Sequence, residues 1–213
     1  MRVSRRVSTI VALILCWSMS SAFSEEADAV RRLETDGKGD AILAICPAVL
    51  PSGRLSNGAS RLVAACDGSL ESCIVSCLDR SDAASCFQAA LTLQQRSGAN
   101  DTRNSQIAFA LGCAANNPAS CTNRASGILE ELAAEAFPDA ASRTRCTFDT
   151  FSHTCDSEDS WGCTMLGVAY HFGEGVQVDA KAARRAYDRA CALAPDFEAC
   201  SYARAAQKKL DGG

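Results

Sequence analysis

Residues 161–200, WGCTMLGVAYHFGEGVQVDAKAARRAYDRACALAPDFEAC, decide the fold. Cys163, Leu166, Gly167 and Tyr170 fall on one face at helical spacing. Gly173-Glu174-Gly175 ends that helix, because glycine enters the left-handed region without a Cβ clash. Asp179 is placed to cap the next helix by accepting from its free N–H groups. In that second helix Ala182, Ala183, Ala186, Tyr187, Ala190 and Cys191 form an apolar stripe. Lys181, Arg184, Arg185, Asp188 and Arg189 fill the other face. Pro195 stops it, and Phe197 to Leu210 reads as a further helix, carrying Cys200 near its start and tailed by Lys208 and Lys209.

The cysteines carry this pattern outward. Four pairs recur along the chain: Cys77 with Cys86, Cys113 with Cys121, Cys155 with Cys163, and Cys191 with Cys200. Their first members lie 36, 42 and 36 residues apart, and their second members 35, 42 and 37. A period near 36 with one lengthened unit predicts a repeat array rather than a single core. Cys86 to Cys113 holds one helix with Phe87, Ala89, Ala90 and Leu93, a turn at 97–100, and a second helix with Ile107, Ala108 and Leu111. Cys121 to Cys155 predicts a helix through Ile128, Leu129, Leu132 and Ala133, with the extra residues near Phe137-Pro138-Asp139. Before Cys77 the reading is coarser: a helix over Ala41–Cys46, turn residues over Pro47–Ser60, and a helix starting over Arg61–Cys66.

Alanine is abundant and aromatic residues make up only 6% of the chain, so each helix buries little area alone and must stack on its neighbours. In an antiparallel helix pair the end of one hairpin lies beside the start of the next. A disulfide across each seven- or eight-residue gap would rivet successive hairpins. Closing a ring of that size contributes about 2.5 kcal/mol in the loop-entropy treatment. Cys46, Cys66, Cys73 and Cys146 remain, and spacing does not choose among their three pairings.

Residues 1–24 read as a signal peptide. Arg2, Arg5 and Arg6 precede an apolar run from Val7 to Trp17, and Ala22 and Ser24 are small residues before a cut ahead of Glu25. That run is too short to span a bilayer. Loss of the leader removes Cys16 and three arginines. Twelve cysteines remain, and 18 basic against 25 acidic residues give a balance of −7. An even cysteine count in an exported chain predicts bridges. The acidic balance argues against nucleic acid as partner and against adhesion to an anionic membrane.

No chemistry stands out. Ser-x-x-Lys, Lys-Thr-Gly and C-x-x-C are all absent, and only Cys73 and Cys77 approach zinc-ligand spacing. The reading therefore assigns no catalytic residue, metal or cofactor. His171 beside Glu174, and His153 near Asp156, Glu158 and Asp159, read as a helix end and a solvated loop. Trp161 reads as packing or as part of a binding face.

Leu166-Gly167, Tyr170, Gly173-x-Gly175-Val176, Asp179, Lys181-Ala182, Tyr187 and Ala190-Cys191 together resemble the Sel-one-like repeat, a relative of the tetratricopeptide repeat. The added cysteine pairs resemble its secreted bacterial cysteine-rich branch. The resemblance covers 155–200 well and 77–154 in part, where the Gly-x-Gly turn and Lys-Ala step are missing. It implies an all-α, right-handed α-solenoid of antiparallel helix pairs that binds a protein or peptide on its concave face. The expected layout is a signal peptide over 1–24, an irregular helical cap over 25–76 and repeats over 77–213. Repeat units are expected at 77–112, 113–154 and 155–190, with a terminal helix over 191–213. A β-lactamase or penicillin-binding label attaches to some members of that branch, and this chain lacks the motifs for it. A regulator that restrains a partner enzyme would present the same kind of surface. The sequence leaves the oligomeric state open, as it does the choice between periplasm and secretion.

Overall fold

The computed structural model describes residues 24–58, 63–96 and 98–212. Residues 1–23 of the expected leader, Cys16 among them, lie outside the described residues. Among those described, all regular structure is helical: α1 (24–35), α2 (Gly39–Leu43), a 3-10 turn (Pro47–Val49), α3 (Leu70–Arg80), α4 (Ala83–Arg96), α5 (Ala99–Ala114), α6 (Pro118–Leu129), α7 (Ala140–Asp156), α8 (Ser160–Phe172), α9 (Ala180–Leu193) and α10 (Glu198–Leu210).

Short polar side chains start these helices by accepting from the free N–H groups of the first turn. Ser69 accepts from Ser72 N at 3.2 Å, Asp82 from Ser85 N at 2.8 Å, and Asn117 from Ser120 N at 3.0 Å. Asp139, Asp159 and Asp179 do the same for α7, α8 and α9. Gly173 leaves α8 at φ 79°, as its sequence position predicts. Gly175 follows at φ 71°, and a Cβ there would stand 2.2 Å from the carbonyl oxygen of Thr144. Both glycines of the Gly-x-Gly turn thus have a steric reason, and the second holds the turn against α7.

Consecutive helices from α3 to α10 pack on one another. Contacts also join α6 to α8, α8 to α10 and α3 to α5. One cluster joins Ala29 and Leu33 of α1 to Ile74, Ala90, Leu93 and Phe109. Another joins Cys155, Cys163, Ala183, Tyr187 and Ala203 across α7 to α10. Close approach depends on small residues. A Cβ on Gly167 would lie 2.4 Å from the Tyr187 ring, and one on Gly162 would lie 2.2 Å from Thr154 Oγ1.

Six cysteine pairs stand at disulfide distance. Cys77 with Cys86, Cys113 with Cys121, Cys155 with Cys163, and Cys191 with Cys200 have S–S separations of 2.05, 2.07, 2.05 and 2.02 Å. Each joins the end of an odd-numbered helix to the first turn of the next. Of the pairings left open by the sequence, the structure takes Cys66 with Cys73 and Cys46 with Cys146. Such a set fits an oxidising compartment. Among the described residues no helix is long and apolar enough to cross a membrane.

Four expectations for local structure need correction. The terminal helix expected over 191–213 is divided. Cys191 lies in the last turn of α9, whereas Cys200 lies in the first turn of α10, which closes at Leu210. The break falls at residues 194–197, where Pro195 cannot continue the helix, and the disulfide from Cys191 to Cys200 spans it. The helix expected through Leu132 and Ala133 stops at Leu129. Glu131 and Ala133 take positive φ, and the carbonyls of Leu132 and Ala133 turn inward to accept from Arg124 at 2.9 and 2.7 Å. No helix spans 63–66, and residues 61 and 62 lie outside the described residues. Ala65 N donates instead to Asp82 Oδ1 at 3.1 Å, and Ser76 Oγ donates to Ala65 O at 3.4 Å. The helix expected over Ala41–Cys46 is the five-residue α2, because Pro47 opens a separate 3-10 turn after Cys46.

The segment expected as an N-terminal cap also does more than cover an end. α1 packs beside α3, α4 and α5, where Arg96 grips the Glu26 carboxylate with two hydrogen bonds of 2.8 and 3.0 Å. From there residues 46–58 run across the later helices as a strap. The 3-10 turn packs on α5, α6 and α7, and Cys46 reaches Cys146. Ser56 N donates to Asn116 O at 2.9 Å and Gly58 N to Ser157 O at 2.7 Å, so the strap bonds to the α5–α6 turn and to the α7–α8 turn.

Candidate functional site

A groove of about 1070 Å³ crosses the even-numbered helices from α4 to α10. Phe87 and Leu91 of α4, Thr122, Ser126 and Leu129 of α6, Trp161, Met165 and Val168 of α8, and Tyr202 of α10 line it. Within α4, α6 and α8 these positions recur at intervals of three or four, so one stripe of each faces the groove. On α8 the stripe excludes Cys163 and Gly167, which face the neighbouring helices. Helix α8 therefore has two working faces, one for packing and one for the groove. On α10 the division is the same: Cys200 is fully buried in its bridge to α9, and Tyr202 turns to the groove.

Aromatic rings concentrate at the α8–α10 end. Trp161 meets Phe197 edge-on with centroids 6.5 Å apart, and Tyr202 lies 5.9 Å away at 54°. Phe197 and Tyr202 remain 48% and 52% exposed. Large rings held in place and half open to solvent are suited to receive an apolar side chain. Tyr187 sits behind this end, fully buried, and its hydroxyl has no hydrogen-bond partner among the described residues. Burial, with Tyr202 and Glu174 nearby, pushes its pKa up to about 12.

Carboxylates border the groove: Glu130, Glu158, Asp159 and Glu174. Asp159 is buried and accepts from Thr122 Oγ1 at 2.6 Å and Gly162 N at 2.9 Å, tying α6 to the start of α8. Burial pushes its pKa up against these hydrogen bonds. Burial likewise raises that of Glu174. Glu158 accepts from Asn57 Nδ2 at 2.5 Å.

The residues the sequence singled out are spread apart. His153 lines a different and smaller cavity of about 320 Å³ with Pro47, Pro51 and Leu55 of the strap. Asp156 lies 3.7 Å from Arg189, and Asp159 is committed to its cap, so the acids near His153 do not converge. Among the described residues no His, Cys, Asp and Glu cluster could hold a metal ion. His171 stacks on Phe172 with centroids 4.2 Å apart, while Tyr170 packs edge-on against Phe148 of α7. Trp161 belongs to the groove.

Two features are missed by the sequence reading. The first is a capping register: Asp82, Asn117, Asp159 and Asp196 each stand four residues before the second cysteine of a local pair. The first three cap a helix through their side chains, whereas α10 starts after Phe197 without a side-chain cap. The second is Arg124, whose side chain is fully buried. It donates to Gln106 Oε1 at 3.1 Å and to the carbonyls of Leu43, Leu132 and Ala133 at 3.2, 2.9 and 2.7 Å. Desolvation lowers its pKa to about 10. Its chain position beside Cys121 gives no sign of burial, because an arginine is ordinarily a surface residue. No protein-family model, curated protein or solved structure matches the chain.

Proposed function

We propose that this chain is an exported helical-repeat scaffold whose groove takes up a segment of another protein or peptide. In this reading α3–α10 form antiparallel pairs stacked as a right-handed α-solenoid of the Sel-one-like kind. The even-numbered helices form its concave face. The observation that carries the reading is the groove itself, which draws a stripe of side chains from each of α4, α6 and α8 and Tyr202 from α10. A surface assembled from corresponding helices is what a solenoid offers to an extended ligand. The fit of Gly167 against Tyr187, and the positive φ of Gly173 and Gly175, support the repeat assignment. The six cysteine pairs support export to the periplasm or beyond the cell.

Site-specific photocrosslinking tests the proposal. A photoreactive residue at Met165 or Ser126, in the groove, is compared with one at Arg185 on the polar face of α9. Oxidised protein in an envelope extract is expected to give a discrete adduct from the groove positions alone. Equal labelling from both faces, or none from the groove, contradicts the assignment.

A further inference from the structure

The groove's chemistry narrows the occupant, on the reading that the groove is a binding site. Four carboxylates border it and no lysine or arginine lines it. Two of the four are not committed elsewhere: among the described residues, neither Glu130 nor Glu174 has an ion pair or a side-chain hydrogen bond. Glu130 follows the last turn of α6, and Glu174 follows α8. Glu174 lines the same groove as the rings of Trp161, Phe197 and Tyr202. A carboxylate half removed from water beside exposed rings gains from a cation that satisfies both. A guanidinium or ammonium pairs with the acid and lies against the ring faces. An acidic or neutral segment would leave the same carboxylates desolvated and unpaired.

We infer that the groove recognises a basic, extended peptide segment, with an arginine or lysine at the Glu174 end and aliphatic or aromatic residues over Met165 and Leu129. The acidic balance of the whole chain adds long-range attraction for such a partner, so its binding weakens as salt rises.

The test is selection of a random linear peptide library on the oxidised protein, followed by fluorescence anisotropy with the most enriched peptide. The expected result is enrichment of arginine or lysine flanked by apolar residues. Binding of that peptide should be lost in Trp161→Ala and weakened about tenfold in the double variant Glu130→Gln, Glu174→Gln. Circular dichroism of both variants checks that they are folded. Enriched peptides that are acidic or neutral yet still depend on Trp161 overturn the charge assignment and leave the groove reading standing. Absence of any Trp161-dependent binder overturns both. A dimer in sedimentation that Trp161→Ala dissociates gives the groove to a second copy of the chain and also overturns the inference.

Discussion

The region after Cys155 and the segment before Cys66 are held by different means. From α7 to α10 the staples Cys155 to Cys163 and Cys191 to Cys200 are local, spanning eight or nine positions, and each helix packs on its sequence neighbours. The strap is held by a link that spans 100 positions, Cys46 to Cys146, and by backbone hydrogen bonds to turns far along the chain. The first region is a set of repeated local decisions. The second is a single long-range one.

That contrast sets the largest expected effect. In the loop-entropy treatment the 100-residue loop is worth about 4.7 kcal/mol and a nine-residue ring about 2.5. The double variant Cys46→Ser, Cys146→Ser should therefore destabilise more than Cys191→Ser, Cys200→Ser in guanidinium melts. Hydrogen exchange should accelerate along residues 39–58 in the first variant and along α10 in the second. Equal losses, or spread of the first loss through α8 and α9, would erase the distinction.

Arg124 comes next, because it joins the two systems. Its guanidinium bonds Leu43, at the end of α2, to the 130–134 turn and to Gln106 of α5. Arg124→Met leaves those carbonyls and the Gln106 amide without their donor and should cost about 3 kcal/mol. The Arg124 pKa is depressed from 12.5 to about 10, so the buried cation itself costs the fold stability below that range. That cost is relieved as pH rises from 10 toward 12.5 in the wild type and is absent in the variant. A parallel pH dependence of unfolding for the two proteins would contradict the burial.

Much of the region after Cys155 is legible in the sequence because its signals are short-range. Gly173, Asp179 and Pro195 mark ends, and the stripe through Ala182, Ala186 and Ala190 marks a face. The strap is not legible, because its backbone groups are satisfied by Asn116 and Ser157, which no local pattern predicts. The same holds for the 130–134 turn: its carbonyls curl toward a buried arginine, and the local apolar pattern at Leu132 and Ala133 points to helix. The helix at 24–35 adjoins the expected cleavage point and carries no cysteine of the repeat pattern to set it apart. The groove is half visible: Trp161 stands out in the sequence, but aligning its stripe with those of α4 and α6 requires the packing.

Two smaller effects concern helix packing and helix capping. Gly167→Ala drives a Cβ into the Tyr187 ring, at 2.4 Å, and should cost about 2 kcal/mol in thermal or denaturant melts. A neutral outcome would mean that α8 and α9 separate easily. The caps Asp82 and Asp159 occupy equivalent places with opposite electrostatics. Burial pushes Asp82 up, but hydrogen bonds from Ser85 and Ala65 N outweigh it and leave the carboxyl below its ordinary value. Its stabilisation is present above the usual carboxylate range and is lost as pH falls through the lowered value. Asp159 is raised, so stability is lost as pH climbs from the usual range through the raised value. Each substitution to alanine should cost about 1 kcal/mol as a lost cap. Stability relative to wild type should fall with pH for Asp82→Ala and rise with pH for Asp159→Ala. Slopes of the same sign would break the contrast.

The most direct measurement is mass-spectrometric mapping of disulfides in the oxidised, unreduced protein. The expected map joins Cys46 to Cys146 and Cys66 to Cys73, with Cys77 to Cys86, Cys113 to Cys121, Cys155 to Cys163 and Cys191 to Cys200 as local links. Cys46 found joined to Cys66 or Cys73, or any local pair found open, would contradict a set of helices stapled locally and bound by one long strap.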